Sequence, residues 1–278
     1  MGVSVYVPAY NAERYIEESL KSVLNQSYPI DKIIVVDDGS TDRTFEIASR
    51  LCANVIRHDK NRGIAASRNT AVTAIGSEFV ASIDADCIAE RDWLKESMRH
   101  FSDLRVVGVG GRVIEKINSL CDEWRAVNLR QNRGGSEVMP VAFLAGCNTV
   151  YRKEALSRAG LYDIRFKTYH EDTEIAQRLL GNNGNILIYA PRAVVQHLKM
   201  DSLFSVMNTC WHFRHRYPPR TLKEVIADTL VEFCHMVASI LRDNINGRLS
   251  LIPIDSVYFP FQFYFNVKYY LRNKYRYG

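Results

Sequence analysis

The feature that most constrains this chain is an alternation. Short β-branched runs are each followed by a polar turn and then by a segment of helical length. Val3–Val7 leads into Pro8-Ala9-Tyr10-Asn11, where Asn11 is placed to N-cap a helix with Ile16, Leu20, Val23 and Leu24 on one face. Lys32–Val36 runs into Asp37-Asp38-Gly39-Ser40 and a helix over Thr44–Leu51. Asn54–Arg57 and Glu78–Ile83 are two further strands on either side of a helix over Ile64–Ala74, and the second of them ends at Asp84. Strands alternating with helices in this way predict βαβ units, hence an α/β fold whose largely parallel sheet carries helices on both faces. Such sheets bind ligands at the carboxyl ends of their strands. Pro8–Asn11, Asp37-Asp38 and Asp84-Ala85-Asp86 each follow a strand directly, so all three are expected along one edge as a site.

The second half is less regular. A strand is expected over Val106–Val113, a helix over Ser119–Arg130 and a loop over Gln131–Ser136. Gly146-Cys147-Asn148 precedes a helix starting near Lys153, and a helix covers Glu171–Leu180. Two short strands follow, Ile186–Tyr189 and Ala193–Val195, the latter ending at His197. With 278 residues, 47% of them hydrophobic, the chain buries a core without staples. Its six cysteines form no C-x-x-C pair, which reads as reduced thiols in a cytosolic protein. The first residues lack a charged segment followed by a long apolar one, so no signal peptide is expected. The longest apolar stretches, Thr229–Leu241 and Val257–Leu271, are interrupted by polar residues and fall short of a membrane span.

Four groups of residues could carry chemistry. In Asp84-x-Asp86 both carboxylates can face one ligand, and hard oxygen donors suit Mg²⁺ or Mn²⁺ on a diphosphate; the plainer reading is a solvated cap. Asp37-Asp38-Gly39-Ser40 either caps the next helix or offers a carboxylate to a base or ribose. His170-Glu171-Asp172 opens a helix, where acids favour the macrodipole, and equally could supply a general base. His197, after a strand, is either structural or completes a metal site beside a carboxylate. A Gly-x-x-x-x-Gly-Lys-Ser/Thr phosphate loop, a dinucleotide fingerprint and a Gly-x-Ser-x-Gly elbow are all missing, so phosphate would have to be held through a cation.

Taken together and in order, the segments Val3–Asn11, Ile33–Asp42, Asn61–Asn69, Asp84-Ala85-Asp86, Gly146-Cys147-Asn148 and Glu171-Asp172 resemble the family 2 glycosyltransferases. The resemblance covers about residues 3–200. It implies a GT-A fold, Rossmann-like, with a nucleotide-sugar half over about 1–105 and an acceptor half over about 106–200. It also implies sugar transfer from a UDP- or GDP-sugar with inversion, assisted by Mg²⁺ or Mn²⁺. Residue by residue, Pro8, Ala9 and Tyr10 look like the first nucleotide-contacting loop, and Asp38, rather than Asp37, like the carboxylate that reads the base. Arg62, Gly63 and Arg68 sit where the family approaches the nucleotide, with Asp84 on the ribose or phosphate side and Asp86 and His197 at the cation. Asp172 matches the catalytic base, beside Glu171, while Gly146, Cys147 and Asn148 match the segment lining donor sugar and acceptor. Processive members usually carry spanning helices and a Gln-x-x-Arg-Trp motif. Neither stands in this sequence, so a single addition is expected.

Residues 201–278 lie beyond the resemblance. They hold 10 of the 36 Lys and Arg against 6 of the 31 Asp and Glu, and half of the 30 aromatic residues, so most of the net charge of +5 belongs here. Thr221–Asn244 reads as an amphipathic helix whose apolar stripe of Leu222, Val225, Ile226, Leu230, Phe233, Val237, Ile240 and Leu241 is expected to pack on the catalytic portion. Leu249–Tyr277 interleaves aromatic rings with Lys268, Arg272, Lys274 and Arg276, which suits a membrane surface, an aromatic core or a dimer contact. The functional reading is a cytoplasmic inverting glycosyltransferase, peripheral at the cytosolic membrane face, acting on a glycan or lipid-linked acceptor. A nucleotidyltransferase and a non-catalytic nucleotide-sugar-binding protein are the alternatives. Nucleic acid is not an expected partner, since the charge is modest and no recognition module appears.

Overall fold

In the computed structural model the described residues are 1–52, 54–129, 133–135, 139–181, 184–215, 219 and 221–277, with side chains as far as 272. The elements run β1 (Val3–Ala9), α1 (Ile16–Leu24), β2 (Lys32–Asp37), α2 (Thr44–Leu51), β3 (Val55–Arg57), α3 (Ile64–Ala74), β4 (Phe79–Ile83), β5 (Cys87–Ala89) and α4 (Trp93–Met98). They continue with β6 (Val106–Glu115), α5 (Leu120–Leu129), β7 (Asn148–Arg152), α6 (Lys153–Arg158), α7 (Glu171–Leu180), β8 (Ile186–His197), α8 (Leu203–Arg214), α9 (Leu222–Ile245) and α10 (Ile252–Tyr277). The chain divides into two compact units, one of residues 1–116 and 131–199, the other of 117–130 and 200–278. The segment carrying α5, expected with the catalytic portion, therefore groups with the tail. The loop expected over Gln131–Ser136 lies largely outside the described residues.

The first unit is built on one eight-stranded sheet of order β3-β2-β1-β4-β7-β6-β8-β5. The β3-β2-β1-β4 half is parallel throughout, as the alternating pattern requires. β7 then enters antiparallel to both β4 and β6, and β5 antiparallel to β8, while β6 and β8 are parallel. β1 is buried along its whole length because both faces are covered. Val3, Val5 and Val7 pack with Ile16, Leu20 and Val23 of α1 and with Trp93 and Leu94 of α4. Tyr6, on the other face, joins Ile34, Val36, Ala65, Val72, Ile175 and Leu179.

Three local expectations differ. Asn11 does not cap α1: its backbone has φ 50°, and its Oδ1 accepts from Thr41 N at 2.9 Å, so it ties the β1 turn to the β2 turn. Ser40 does not cap α2 either, because its Oγ accepts from Asn11 N at 2.9 Å, while Asp42 Oδ1 accepts from Thr44 N at 3.0 Å. The two short strands around residue 190 are one strand, β8, with a shift in its pairing to β6 between Gly111 and Arg112. Pro191 lies in that shift, where it has no N–H to give to the ladder, which is why the sequence alone reads as a break.

The second unit has its own core. Trp124 of α5, Val206, Met207, Cys210 and Trp211 of α8, and Ile254, Tyr258 and Phe265 of α10 cluster together. Arg125, fully buried, is paired with Asp201 and lies 3.8 Å from Asp122. Along α9 the apolar stripe is not covered: Leu222, Ile226, Leu230, Phe233, Val237 and Leu241 are exposed, and Val225 is the stripe residue that is buried. Among the described residues no helix is long and apolar enough to cross a membrane.

Leu20 is fully buried and Leu24 is 54% exposed, although the sequence places both on the same stripe. Leu20→Ala is expected to cost roughly 2–5 kcal/mol in urea unfolding, and Leu24→Ala no more than about 0.5 kcal/mol. Equal losses would show that α1 does not pack by this face.

Candidate active site

The carboxyl ends of β1, β2 and β4 meet at one cavity of about 800 Å³. Its lining includes Pro8, Ala9, Tyr10 and Asn11 after β1, Asp38 after β2, Asp84, Ala85 and Asp86 after β4, and Gly63 at the start of α3. The three polar segments expected along one edge do converge. Asn61, Ser67, Lys167, Thr168, Glu171 and Lys199 complete the wall.

Asp37 and Asp38 have separate tasks. Asp37 is fully buried, accepts from Ser40 N at 3.1 Å and pairs with Arg57 Nε at 3.1 Å, so it is a turn residue. Asp38 Oδ1 meets His58 Nδ1 at 2.6 Å and accepts from Arg62 N at 2.9 Å, while Oδ2 accepts from Gly63 N at 2.8 Å. His58 is held from behind by Thr70 Oγ1 at 2.9 Å. Asp38 thus anchors the 61–63 loop at the cavity wall. Arg62 takes part through its backbone N–H, and its side chain is exposed and outside the cavity lining. Gly63 has φ +95°, and a Cβ there would lie 2.7 Å from Lys167 O, which accepts from Ile64 N. Only glycine lets the 167–171 segment close on the start of α3.

Arg68 does not reach the cavity surface. It is 1% exposed, and its guanidinium donates to Ser82 Oγ at 2.5 Å, Asp84 Oδ1 at 3.1 Å and Glu171 Oε1 at 3.4 Å. Gly146 packs directly on this group, since a Cβ there would fall 2.6 Å from Arg68 Nη2. Burial pushes the Glu171 carboxyl up to about 7, against the pull of Arg68 and with a further push from Asp172. Asp172 is next on α7 and less buried; its Oδ1 accepts from Thr173 N at 2.7 Å and its Oδ2 from Gly146 N at 3.4 Å. Asn148, expected near the sugar, is instead committed to the sheet. Its Oδ1 accepts from Trp93 Nε1 at 2.7 Å, and its Nδ2 donates to Arg112 O and Ala193 O, both at 3.0 Å.

The two carboxylates of Asp84-x-Asp86 are driven apart electrostatically. Solvent reaches 31% of the Asp84 side chain and 25% of that of Asp86 at the cavity floor. Burial raises Asp84 despite Arg68, whereas at Asp86 the opposing burial is overcome by His197 and the carboxyl is lowered. His197 Nε2 lies 3.5 Å from Asp86 Oδ2, and its Nδ1 is 2.8 Å from Glu115 Oε2. Burial opposes charge on this ring, but Asp86 and Glu115 hold its pKa well above the ordinary value. Asp86, His197 and Cys87 bring ligand atoms within 4.8 Å of one another. A hydrogen bond with Cys147 and burial keep the Cys87 sulfur a neutral thiol, so the donors that suit a divalent cation are the carboxylate and, where the cation displaces the Nε2 proton, the imidazole. Glu115 stands on the far nitrogen of His197, where a carboxylate would orient the ring if the near nitrogen took a metal.

Reading the sequence missed His58, Cys87, Glu115, Lys167 and Lys199. Pairing register was the hidden signal for two of them: Cys87 stands opposite His197 across β5 and β8, and Glu115 opposite His197 across β6 and β8.

Comparison with known proteins points the same way. Residues 4–160 match the model of glycosyl transferase family 2. The chain is 35% identical over 118 residues to glycosyltransferase AglE of Haloferax volcanii, a match covering 40% of this chain and 39% of that protein. It is 30% identical over 178 residues to the pre-mycofactocin glycosyltransferase of Mycobacterium tuberculosis, covering 60% and 37%. The chain thus spans less than two-fifths of the length of these curated relatives. Among solved structures it is similar to the mannosyltransferase PcManGT of Pyrobaculum calidifontis in complex with GDP-Man and Mn²⁺, with TM-score 0.61 and 19% identity over 95% of this chain and 86% of that one. S. aureus TarS 1–349 in complex with UDP-GlcNAc is similar at TM-score 0.58 and 22% identity, over 76% and 66%. These likenesses establish the GT-A fold.

The raised carboxyl of Glu171 has a measurable consequence. A group whose folded pKa exceeds its unfolded value adds stability below the unfolded value and loses it as pH rises through the folded one. Between about pH 4.5 and 8, wild type is therefore expected to lose on the order of 1–3 kcal/mol relative to Glu171→Gln, measured by urea unfolding across pH. Parallel curves would contradict this assignment.

Proposed function

The chain belongs to the family 2 glycosyltransferases, and we propose that it moves a single sugar, with inversion, from a UDP- or GDP-sugar to an acceptor hydroxyl. The observation that carries the reading is the cavity at the strand ends. It combines an exposed aromatic ring, Tyr10, with a loop anchored by Asp38, a carboxylate pair at Asp84 and Asp86, and two lysines in its wall, Lys167 and Lys199. A base stacks on an aromatic face, ribose hydroxyls suit a carboxylate, and a diphosphate needs cations. Family membership favours glycosyl transfer over the nucleotidyltransferase alternative.

Asp86 and His197 would hold a divalent cation, Mg²⁺ or Mn²⁺, with Glu115 orienting the imidazole. A bound cation supplies charge neutralisation for the departing diphosphate. PcManGT was solved with Mn²⁺, which supports a cation of this kind. Lys167 and Lys199 in the wall add positive charge toward the same leaving group.

Asp172 is proposed as the general base. It stands beside Glu171 of the cavity wall, and its Oδ2, which among the described residues accepts only a 3.4 Å bond from Gly146 N–H, would take the proton of the attacking hydroxyl. Attack from the face opposite the nucleotide needs no enzyme nucleophile, and inversion follows. Arg68 acts through others, setting the positions of Asp84 and Glu171. The proposed acceptor is a glycan or a lipid-linked glycan, reached by a cytosolic protein at a membrane face. All six cysteines being free thiols supports the cytosolic setting.

Asp172→Asn is expected to lower the transfer rate by roughly 10²–10⁴-fold in an assay of released nucleotide. Thermal-shift stabilisation by the same donor with Mn²⁺ should be preserved. Transfer at the wild-type rate would remove Asp172 as the base. No shift with any UDP- or GDP-sugar, with or without Mn²⁺, would remove the donor site.

A further inference from the structure

The helical pair α9–α10 buries an unusual set of polar groups and leaves an apolar stripe of α9 exposed. Inside, beside the apolar Val225, Ile254, Tyr258 and Phe265, stand five polar side chains: Glu232, Asp243, Asp255, Gln262 and Asn266 are each 2% exposed or less. Every one has a partner. Glu232 accepts from Tyr258 Oη and from Arg214 Nε at 3.0 Å, and Asp243 pairs with Arg242 and Arg248. Asp255 accepts from Trp124 Nε1 and Asn266 from Trp211 Nε1, both at 2.7 Å, while Gln262 Nε2 donates to Met207 O at 3.0 Å. Among the exposed side chains of α9 runs an apolar stripe. Leu222, Ile226, Leu230, Phe233, Val237 and Leu241 are 39–62% exposed and recur every three or four residues, a stripe about 28 Å long at 1.5 Å per residue. Phe263 and Tyr264 of α10 are exposed as well.

We propose that this outward face seats in the interfacial layer of a membrane bearing anionic phospholipid headgroups. Apolar surface outside and paired polar groups inside is the arrangement a protein adopts where its surroundings are hydrocarbon. Charge selects the occupant. From Asp201 onward, four carboxylates are buried, Asp201, Glu232, Asp243 and Asp255, and among the described residues only Glu224 and Asp228 reach solvent, both in the first two turns of α9. The exposed cations gather toward one end of the pair. Thr229 meets Asn266 and Glu232 meets Tyr258, so the helices run antiparallel. Lys223, Lys268 and Arg272 then stand toward one end, while Arg242 and Arg248 toward the other are paired with Asp243. Lys268 Nζ lies 5.5–5.7 Å from the ring centroids of Tyr264, Phe265 and Tyr269, an ammonium carried over aromatic surface as at a headgroup layer. Anionic headgroups complement these cations. Since no described helix is long and apolar enough to cross, the pair lies on the membrane and does not span it.

This deepens the membrane placement proposed above, but its test reads lipid binding and not sugar transfer, so the two can fail separately. The full chain is floated with phosphatidylcholine vesicles with and without phosphatidylglycerol. Wild type should float with the anionic vesicles and lose binding as salt is raised. Combined Leu230→Ser, Phe233→Ser and Val237→Ser should lower the bound fraction roughly tenfold or more. Combined Lys223→Glu, Lys268→Glu and Arg272→Glu should abolish the preference for phosphatidylglycerol. In case the serine variant misfolds, Phe233→Trp offers a second reading: its emission should be quenched by brominated lipid beyond that of wild type. No flotation of wild type, flotation undiminished by the serine changes, or no added quenching would overturn the proposal. A dimer by light scattering that the serine changes dissociate would overturn it in favour of self-association.

Discussion

One buried guanidinium organises the catalytic unit. Arg68 has almost no solvent around it, so each of its N–H groups must find an acceptor within the protein. It finds them on three elements: Ser82 in β4, Asp84 just after it, and Glu171 at the start of α7. A carboxylate at the cavity floor and another in its wall are thereby fixed relative to α3. Removing one partner from a buried ionic network typically costs about 3–5 kcal/mol, because the others are left as uncompensated charges. Gly146 belongs to the same constraint, since any side chain there would displace the guanidinium. The amide of Gly146 also reaches Asp172, so the packing that admits Arg68 brings the proposed base under control.

The other acids of the cavity are backed in the same manner. His58 stands behind Asp38, and Glu115 behind His197, which in turn holds Asp86. Each contact fixes a rotamer in advance, so little reorganisation remains when a ligand arrives. The opposite shifts at Asp84 and Asp86 follow from this wiring. Burial dominates at the first and raises it, and the imidazole dominates at the second and lowers it.

The second unit answers a different demand. Its buried tryptophans, Trp124 and Trp211, donate to Asp255 and Asn266, so aromatic bulk and polar satisfaction are delivered together. The polar groups of α10 are buried among Ile254, Tyr258 and Phe265, and the apolar stripe of α9 is exposed. Its periodicity was plain in the sequence. Which way it faces was not, because an amphipathic pattern defines two faces without saying which one meets the protein core.

The sequence by itself determined the α/β class, the bounds of α2, α3 and α7, and the convergence of Pro8–Asn11, Asp38 and Asp84-Ala85-Asp86 at the strand ends. These follow from local periodicity and from the geometry of βαβ connections, which involve residues near in the chain. Tertiary structure alone decided what stands behind each acid. The row Cys87–His197–Glu115 depends on strand register, the reach of Arg68 to Glu171 spans a sequence separation of 103 residues, and Asn148 proved committed to Trp93 and two carbonyls. The antiparallel entry of β7 and the continuity of β8 past Pro191 were likewise invisible, since pairing direction is set by neighbours far away in the chain. A carboxylate's reach and company, unlike its position after a strand, are properties of distant residues folded beside it.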